Sequence, residues 1–113
     1  MKNDIMQECK NQHNEQGYRH GYWEEYWSNG DLSEKGHYRN GERTGYWEGY
    51  WANGNLNYKG HYLNGKKNGY SEEYGYNGNP YYKGYYLNGG AHGYWEWYWE
   101  NGELEEKEYY ARM

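Results

Sequence analysis

Three kinds of side chain in this sequence could do chemistry: histidines at positions 13, 37 and 61, glutamates at 24, 48, 72 and 96, and a single cysteine, Cys9. Histidine is the commonest protein ligand for metals, and a carboxylate beside a lysine could exchange protons. Their spacing argues against both uses. Each set recurs every 24 residues, and catalysis needs one water-excluding constellation, not four copies spread along a chain. If each period is a β-hairpin, His13, His37 and His61 lie on strands separated by an intervening strand, roughly 9 to 10 Å apart, too far to share an ion with bonds of about 2 Å. Their expected role is cross-strand pairing opposite Tyr22 and Tyr46. Cys9 stands beside no evident base. No catalytic residue, metal site or cofactor is therefore assigned, and a non-enzymatic protein is expected.

The elements that carry these residues follow from the same period. Gly21, Gly45, Gly69 and Gly93 open four units, residues 21–44, 45–68, 69–92 and 93–113. "QHNEQG" at 12 to 17 aligns with "GHYRNG" at 36 to 41 and reads as half of a leading repeat, 12–20, placing His13 one period before His37. Residues 1–11 form a polar N-terminal segment and 12–113 one repeat domain. Asn-Gly between two aromatic-rich runs is a strong hairpin signal, because both residues tolerate the positive φ of a type I′ turn. Strand A is then about 22–28 and strand B about 31–38, with the longer, Gly-bounded junction "RNGERTG" leading into the next unit.

Counting outward from a two-residue turn at Asn29-Gly30 sets Trp27 opposite Leu32, Glu24 opposite Lys35 and Trp23 opposite Gly36. The same count pairs Glu48 with Lys59, Glu72 with Lys83 and Glu96 with Lys107, an opposite-charge pair in every hairpin. Such exposed pairs contribute a few tenths to about 1 kcal/mol and chiefly specify register. A ring over a cross-strand glycine, Trp23 on Gly36 and Trp47 on Gly60, is expected. Trp23, Trp27, Leu32, Gly36 and Tyr38 share one face; Tyr22, Glu24, Tyr26, Lys35 and His37 share the other. In the third unit Ser71 and Gly75 stand where Trp23 and Trp27 stand in the first, and Pro80 where Leu32 does. This leaves a gap in the ring surface, a bend or a pocket.

Nineteen Tyr, seven Trp and no Phe in 113 residues exclude an ordinary aliphatic core. Burial has to be made by amphipathic rings whose hydroxyl or indole N–H still needs a partner. The architecture expected is all-β: a single extended, twisted antiparallel sheet of tandem 24-residue hairpins, about nine strands, roughly 38 Å across. The glutamate-rich last strand, "ELEEKEYY", reads as a charged cap against edge pairing. The net charge of −5 leaves no basic footprint for nucleic acid or anionic membrane. "MKNDIMQECKNQHN" contains no hydrophobic run of signal-peptide or membrane-spanning length, and one cysteine requires no oxidising compartment, so a cytoplasmic protein is expected.

The pattern G-Y-W-x-x-Y-W-x-N-G-x-L-x-x-K-G-x-Y-x-N-G resembles the variant MORN repeat of bacterial proteins, over residues 12–113. That resemblance implies an extended hairpin sheet with aromatic-lined grooves, serving protein or lipid interaction, in a family often labelled as antitoxin components. The expected function is neutralisation of a partner protein (a toxin, immune effector or nuclease) by covering its surface, in a bacterial or phage-infected bacterial cell. The apolar face supplies the first binding candidates: Trp23, Trp27, Tyr38, Trp47, Trp51, Tyr62, Tyr86, Trp95 and Trp99. The second face supplies Tyr22, Tyr26, Tyr46, Tyr50, Tyr70 and Tyr74. A homo-oligomer also fits, since a bare sheet gains by pairing a face. The alternatives are a module that cages choline, glucan or a lipid head group on its rings, and a base-stacking or DNA-mimicking protein, which the charge disfavours.

Overall fold

A computed structural model describes residues 9–111; residues 1–8 of the N-terminal segment and the last two residues of the fourth unit lie outside it. The described chain is all-β. Its strands are β1 (Gln12–His13), β2 (Arg19–Tyr26), β3 (Leu32–Arg39), β4 (Glu42–Tyr50), β5 (Leu56–Leu63), β6 (Lys66–Lys67), β7 (Gly69–Tyr74), β8 (Pro80–Leu87), β9 (Gly90–Tyr98) and β10 (Leu104–Tyr110). They form one antiparallel meander in chain order, with β6 on β5 as the start of a strand that Asn68 interrupts before β7. Ten segments thus occupy nine strand positions. Dense contacts run between sequence neighbours, as in other stacked-repeat proteins. The extents, 48 × 38 × 23 Å, suit a single layer with the usual sheet twist.

The two Asn-Gly junctions of each repeat fold differently, and the assignment is the reverse of the one expected. At Asn40-Gly41, φ is +50° and +85°, and the pair Arg39 with Glu42 closes directly over them. This is the two-residue type I′ turn; Asn64-Gly65 and Asn88-Gly89 repeat it. At Asn29-Gly30 only the glycine has positive φ, +93°. There Gly30 N donates to Trp27 O at 2.9 Å and Trp27 N to Asp31 O at 2.8 Å, a type I turn followed by a left-handed residue. The Asn29 side chain explains the difference. Its Oδ1 accepts from Asp31 N at 2.8 Å, while its Nδ2 donates to Ala52 O in the next hairpin at 3.3 Å. The asparagine serves as a local side-chain acceptor there, not as a left-handed backbone residue.

This turn moves one register position. Tyr26, not Trp27, opposes Leu32, because a bulge at Ser33 intervenes; Leu32 therefore belongs with the Tyr26 face. Beyond the bulge the expected pairs hold: Glu24 with Lys35, Trp23 with Gly36 and Tyr22 with His37. The strands also extend toward the I′ turns, since Arg19–His20 and Arg39 pair where a loose junction was expected. In the leading half repeat, the turn Asn14–Tyr18 is one residue longer than its counterparts. Gln12 therefore pairs with His20 as His37 does with Thr44, and His13 pairs with Arg19 as Tyr38 does with Arg43. His13 thus occupies the Tyr38 position, one residue from its expected alignment with His37.

The unit-opening glycines create the joint between hairpins. Between the pairs Lys35 with Glu48 and His37 with Thr44, β3 supplies one residue, Gly36, while β4 supplies three, Gly45, Tyr46 and Trp47. Gly45 takes φ +72° at this bulge; Gly21, Gly69 and Gly93 are also left-handed. The bulge tips Trp47 back across the preceding hairpin, and a Cβ on Gly36 would stand 2.1 Å from its indole. Trp95 covers Gly84 in the same way, at 2.2 Å. The expected ring-on-glycine arrangement therefore exists, but the ring on Gly36 belongs to Trp47, and Gly60 is met by Ser71 Oγ in place of Trp47.

Candidate interaction surface

The first face is a joint of interlocked rings. Trp23, Trp47 and Trp95 are all buried, Trp47 to 2% exposure. Each indole N–H is satisfied by a carbonyl of the preceding strand: Gln12 O at 3.0 Å, His37 O at 3.1 Å and Tyr85 O at 3.0 Å. Edge-to-face contacts then run across the sheet, from His13 to Trp23 (5.3 Å between centroids), Trp23 to Tyr38 (5.9 Å) and Tyr38 to Trp47 (5.0 Å). Each is worth about 0.5–1.5 kcal/mol beyond area burial. Arg43 lies 4.1 Å above the Trp47 ring and is held by Glu34 at 2.7 Å, with Tyr58 OH donating to the same carboxylate at 2.6 Å. Burial favours the neutral form of Arg43, but the surrounding Tyr58 and Glu34 outweigh it and raise its pKa.

The opposite face is polar and exposed at its margins. Its centre is a ladder of alternating charge, Glu24, Lys35, Glu48, Lys59, Glu72, Lys83, Glu96 and Lys107, each the register partner of the next. The within-hairpin pairings are those expected, yet the close contacts bridge hairpins: Lys35 to Glu48 at 3.6 Å and Lys59 to Glu72 at 3.5 Å, with Lys10 reaching Glu24 at 2.8 Å. Tyrosines two residues either side on the same strand donate to the first three carboxylates, while Glu96 receives Tyr98 from one side. Tyr22 and Tyr26 serve Glu24, Tyr46 and Tyr50 serve Glu48, and Tyr70 and Tyr74 serve Glu72. Bonds from Lys10, Tyr26 and Tyr22 hold the Glu24 carboxyl down at about 2. Burial favours protonation of Glu48 and Glu72, but the tyrosine bonds and neighbouring lysines prevail and lower both. Burial and the glutamate bond push Tyr50 and Tyr98 up to about 12. These carboxylates are anchored counter-charges, poor candidates for proton transfer near neutrality.

Beside the ladder runs a belt of paired rings: Tyr22 with His37 and Tyr46 with His61 at 5.3 Å, Tyr70 with Tyr85 at 5.1 Å, and Tyr94 with Tyr109 at 4.7 Å. His37 and His61 thus occupy the expected pairing positions. Tyr46, Tyr85, Tyr94 and Tyr109 are exposed, Tyr94 to 69%. Of the rings proposed from the repeat pattern, Tyr26, Trp27, Tyr46 and Trp99 are exposed, and Trp51, Tyr38, Tyr62, Tyr86, Tyr22, Tyr50, Tyr70 and Tyr74 are half-buried. Tyr85, Tyr94 and Tyr109 were not among the expected contact residues. The period itself was the signal, since Tyr94 continues Tyr22, Tyr46 and Tyr70, while Tyr85 and Tyr109 continue His37 and His61.

The turn rim carries a third row. Trp27 Nε1 donates to Tyr50 O and Trp51 Nε1 to Tyr74 O, both at 3.1 Å. At the third position Gly75 supplies no ring, and a pocket of about 440 Å³ opens there. The expected gap is thus a pocket, although Gly75 lies in the turn and Pro80 pairs with Tyr74. Among the described residues, no group of three or more His, Cys, Asp or Glu could hold a metal ion. No helix among them is long and apolar enough to cross a membrane.

The MORN repeat variant pattern matches residues 19–40, 43–64 and 91–111, more than half of the chain. The chain belongs to the MORN repeat variant family. Each matched segment runs from the strand entering a Trp-bearing hairpin to the end of its second strand, so the repeat coincides with the unit that supplies one joint tryptophan and one ladder pair. MORN repeats generally serve as binding modules for proteins or lipids. A search of curated proteins finds no match to the chain.

Proposed function

We propose that this MORN-repeat protein acts without chemistry of its own, binding a partner protein through the tyrosine-belted face and neutralising it by covering its surface. The exposed belt of Tyr46, Tyr85, Tyr94 and Tyr109 beside the charge ladder carries this reading. Tyrosine offers a broad apolar ring, a polar tip and few rotatable bonds, which makes it a favoured contact residue at protein interfaces. On the opposite face Trp23, Trp47 and Trp95 are buried against neighbouring hairpins and are not open to a partner. The family's role as a binding module supports the same reading. A toxin, immune effector or nuclease in the cytoplasm of a bacterial or phage-infected cell is the partner class we favour. The alternating ladder fits a protein surface of mixed charge better than an anionic bilayer or nucleic acid.

The test is affinity capture from the native host with wild type and a Tyr94→Ser/Tyr109→Ser variant, together with co-sedimentation on anionic and zwitterionic vesicles. One specific protein should be retained by wild type and lost by the variant at unchanged thermal stability, with no vesicle binding. Vesicle binding without protein capture, or capture indifferent to both tyrosines, would overturn the reading.

A further inference from the structure

The pocket at Gly75 occupies the place where the repeat puts an indole. Trp27 and Trp51 each cross to the next hairpin and donate to its Tyr50 or Tyr74 carbonyl at 3.1 Å. The equivalent acceptor for residue 75 is Tyr98 O, and glycine has no side-chain donor to reach it. The turn around Gly75 nevertheless keeps the geometry of its counterparts: Gly75 N donates to Asn79 O at 2.8 Å, as Trp51 N donates to Asn55 O. Asn77 and Asn79 tie it to Glu100 O at 3.1 and 3.0 Å, as Asn53 and Asn55 tie the preceding turn to Tyr76 O. The slot is therefore preformed. Its walls include Trp51, Pro80, Tyr81, Tyr98 and Trp99, and its volume of about 440 Å³ falls in the range of small-ligand sites.

We propose that this slot binds an indole ring supplied from outside the chain, which stacks among Trp51, Tyr81 and Trp99 and donates its N–H to Tyr98 O. The ring replaces the tryptophan that the third repeat lacks. Two sources share that chemistry: a tryptophan of a partner protein and a free indole compound. The site lies on the turn rim and its ligand is a single ring, so the inference does not rest on the tyrosine-belt reading.

Fluorine NMR of a ring-fluorinated indole and of the matching N-acetyl-tryptophanamide, titrated with the full chain, tests it. Wild type should broaden and shift at least one probe, with intermolecular NOEs to Tyr98 and Trp99 protons. Preference for the amide points to a partner's tryptophan; preference for free indole points to a small molecule. Gly75→Trp should close the slot, because Gly75 lacks a positive φ and a Cβ there meets only Asn77 Oδ1 within 3.4 Å. Probe binding should weaken by at least about tenfold, with a thermal midpoint no lower than wild type. Trp99→Ala, at an exposed wall, gives the same test should Gly75→Trp not fold. No response from either probe in wild type, NOEs confined to other residues, or undiminished binding in a folded variant would overturn the inference. So would binding of tetramethylammonium with no binding of either indole.

Discussion

The second and third repeats share a backbone and differ in what fills it. Both carry the Asn-Gly I′ turn, the left-handed unit-opening glycine and the Glu–Lys rungs, Glu48 with Lys59 and Glu72 with Lys83. The second repeat then seats Trp47 on Gly36, beneath Arg43 from the end of the first repeat, and sends Trp51 to Tyr74 O. The third has Ser71 against Gly60, Gly75 in place of the rim tryptophan, and only Lys67, from the end of the second repeat, 4.9 Å from its Tyr86 ring. Compensation comes from Tyr82, which is buried and stacked on Trp95 at 4.9 Å and 30°. Since the register survives loss of both tryptophans, turns and charge ladder specify the pairing. The tryptophans supply the packing between hairpins.

Truncating the joint should break this comparison most strongly. Trp47→Ala removes a buried ring and leaves His37 O without its indole, so a loss of about 3–5 kcal/mol is expected. Ser71→Ala should cost less than about 1.5 kcal/mol, because one small hydroxyl is removed. Urea unfolding of the two variants side by side measures the contrast, and equal losses would contradict the division of labour.

Gly36→Ala ranks next. It drives a methyl into the Trp47 ring, an overpacking cost of about 1–3 kcal/mol, whereas Gly60→Ala meets only a serine hydroxyl that can rotate away and should cost less. A smaller effect is expected at the bulge. A Cβ at Gly45 meets nothing within 4 Å, so Gly45→Ala incurs only left-handed strain, about 1–2 kcal/mol. Denaturation midpoints in that order would sharpen the assignment of packing and backbone roles.

The ladder should appear as an acid dependence of stability. The folded-state pKa values of Glu24, Glu48 and Glu72 are lowered. Their contribution is therefore fully present above the ordinary carboxylate pKa of about 4.5, and for Glu24 is lost as pH falls toward about 2. Thermal midpoints should fall across that interval, and Glu24→Gln should flatten the fall without moving its onset. A midpoint that stays constant below pH 4 would remove the ladder from the stability account.

The sheet, its period and its charged rungs were legible because hairpin register depends on residues close in sequence. The choice between two Asn-Gly turns was not. The dipeptide is identical at 29–30 and 40–41, yet at 29–30, as at 53–54, 77–78 and 101–102, the asparagine side chain accepts from the backbone N–H two residues on, and nothing in the dipeptide itself distinguishes the two outcomes. The seat of Trp47 was illegible for a related reason: the three-against-one bulge beside Gly36 sets the register between hairpins, and no local pairing count contains it. For Trp23, Trp47 and Trp95 the sequence could assign a face but not exposure, and Trp27 and Trp51, expected beside Trp23, lie instead on the turn rim beyond the bulge. Trp23 and Trp47 proved to be consumed by neighbours, while Tyr94 and Tyr109 at the end of the array remained open.

The central claim is that the tyrosine face contacts the partner while the tryptophan face holds the hairpins together. Acetylation of tyrosine hydroxyls, read residue by residue by mass spectrometry with and without the captured partner, tests it most directly. Tyr85, Tyr94 and Tyr109 should react in the free protein and be protected in the complex, with Tyr82 unreactive in both. Protection that spares those three and falls instead on Tyr38, Tyr62 and Tyr86 would place the partner on the opposite face and contradict the account.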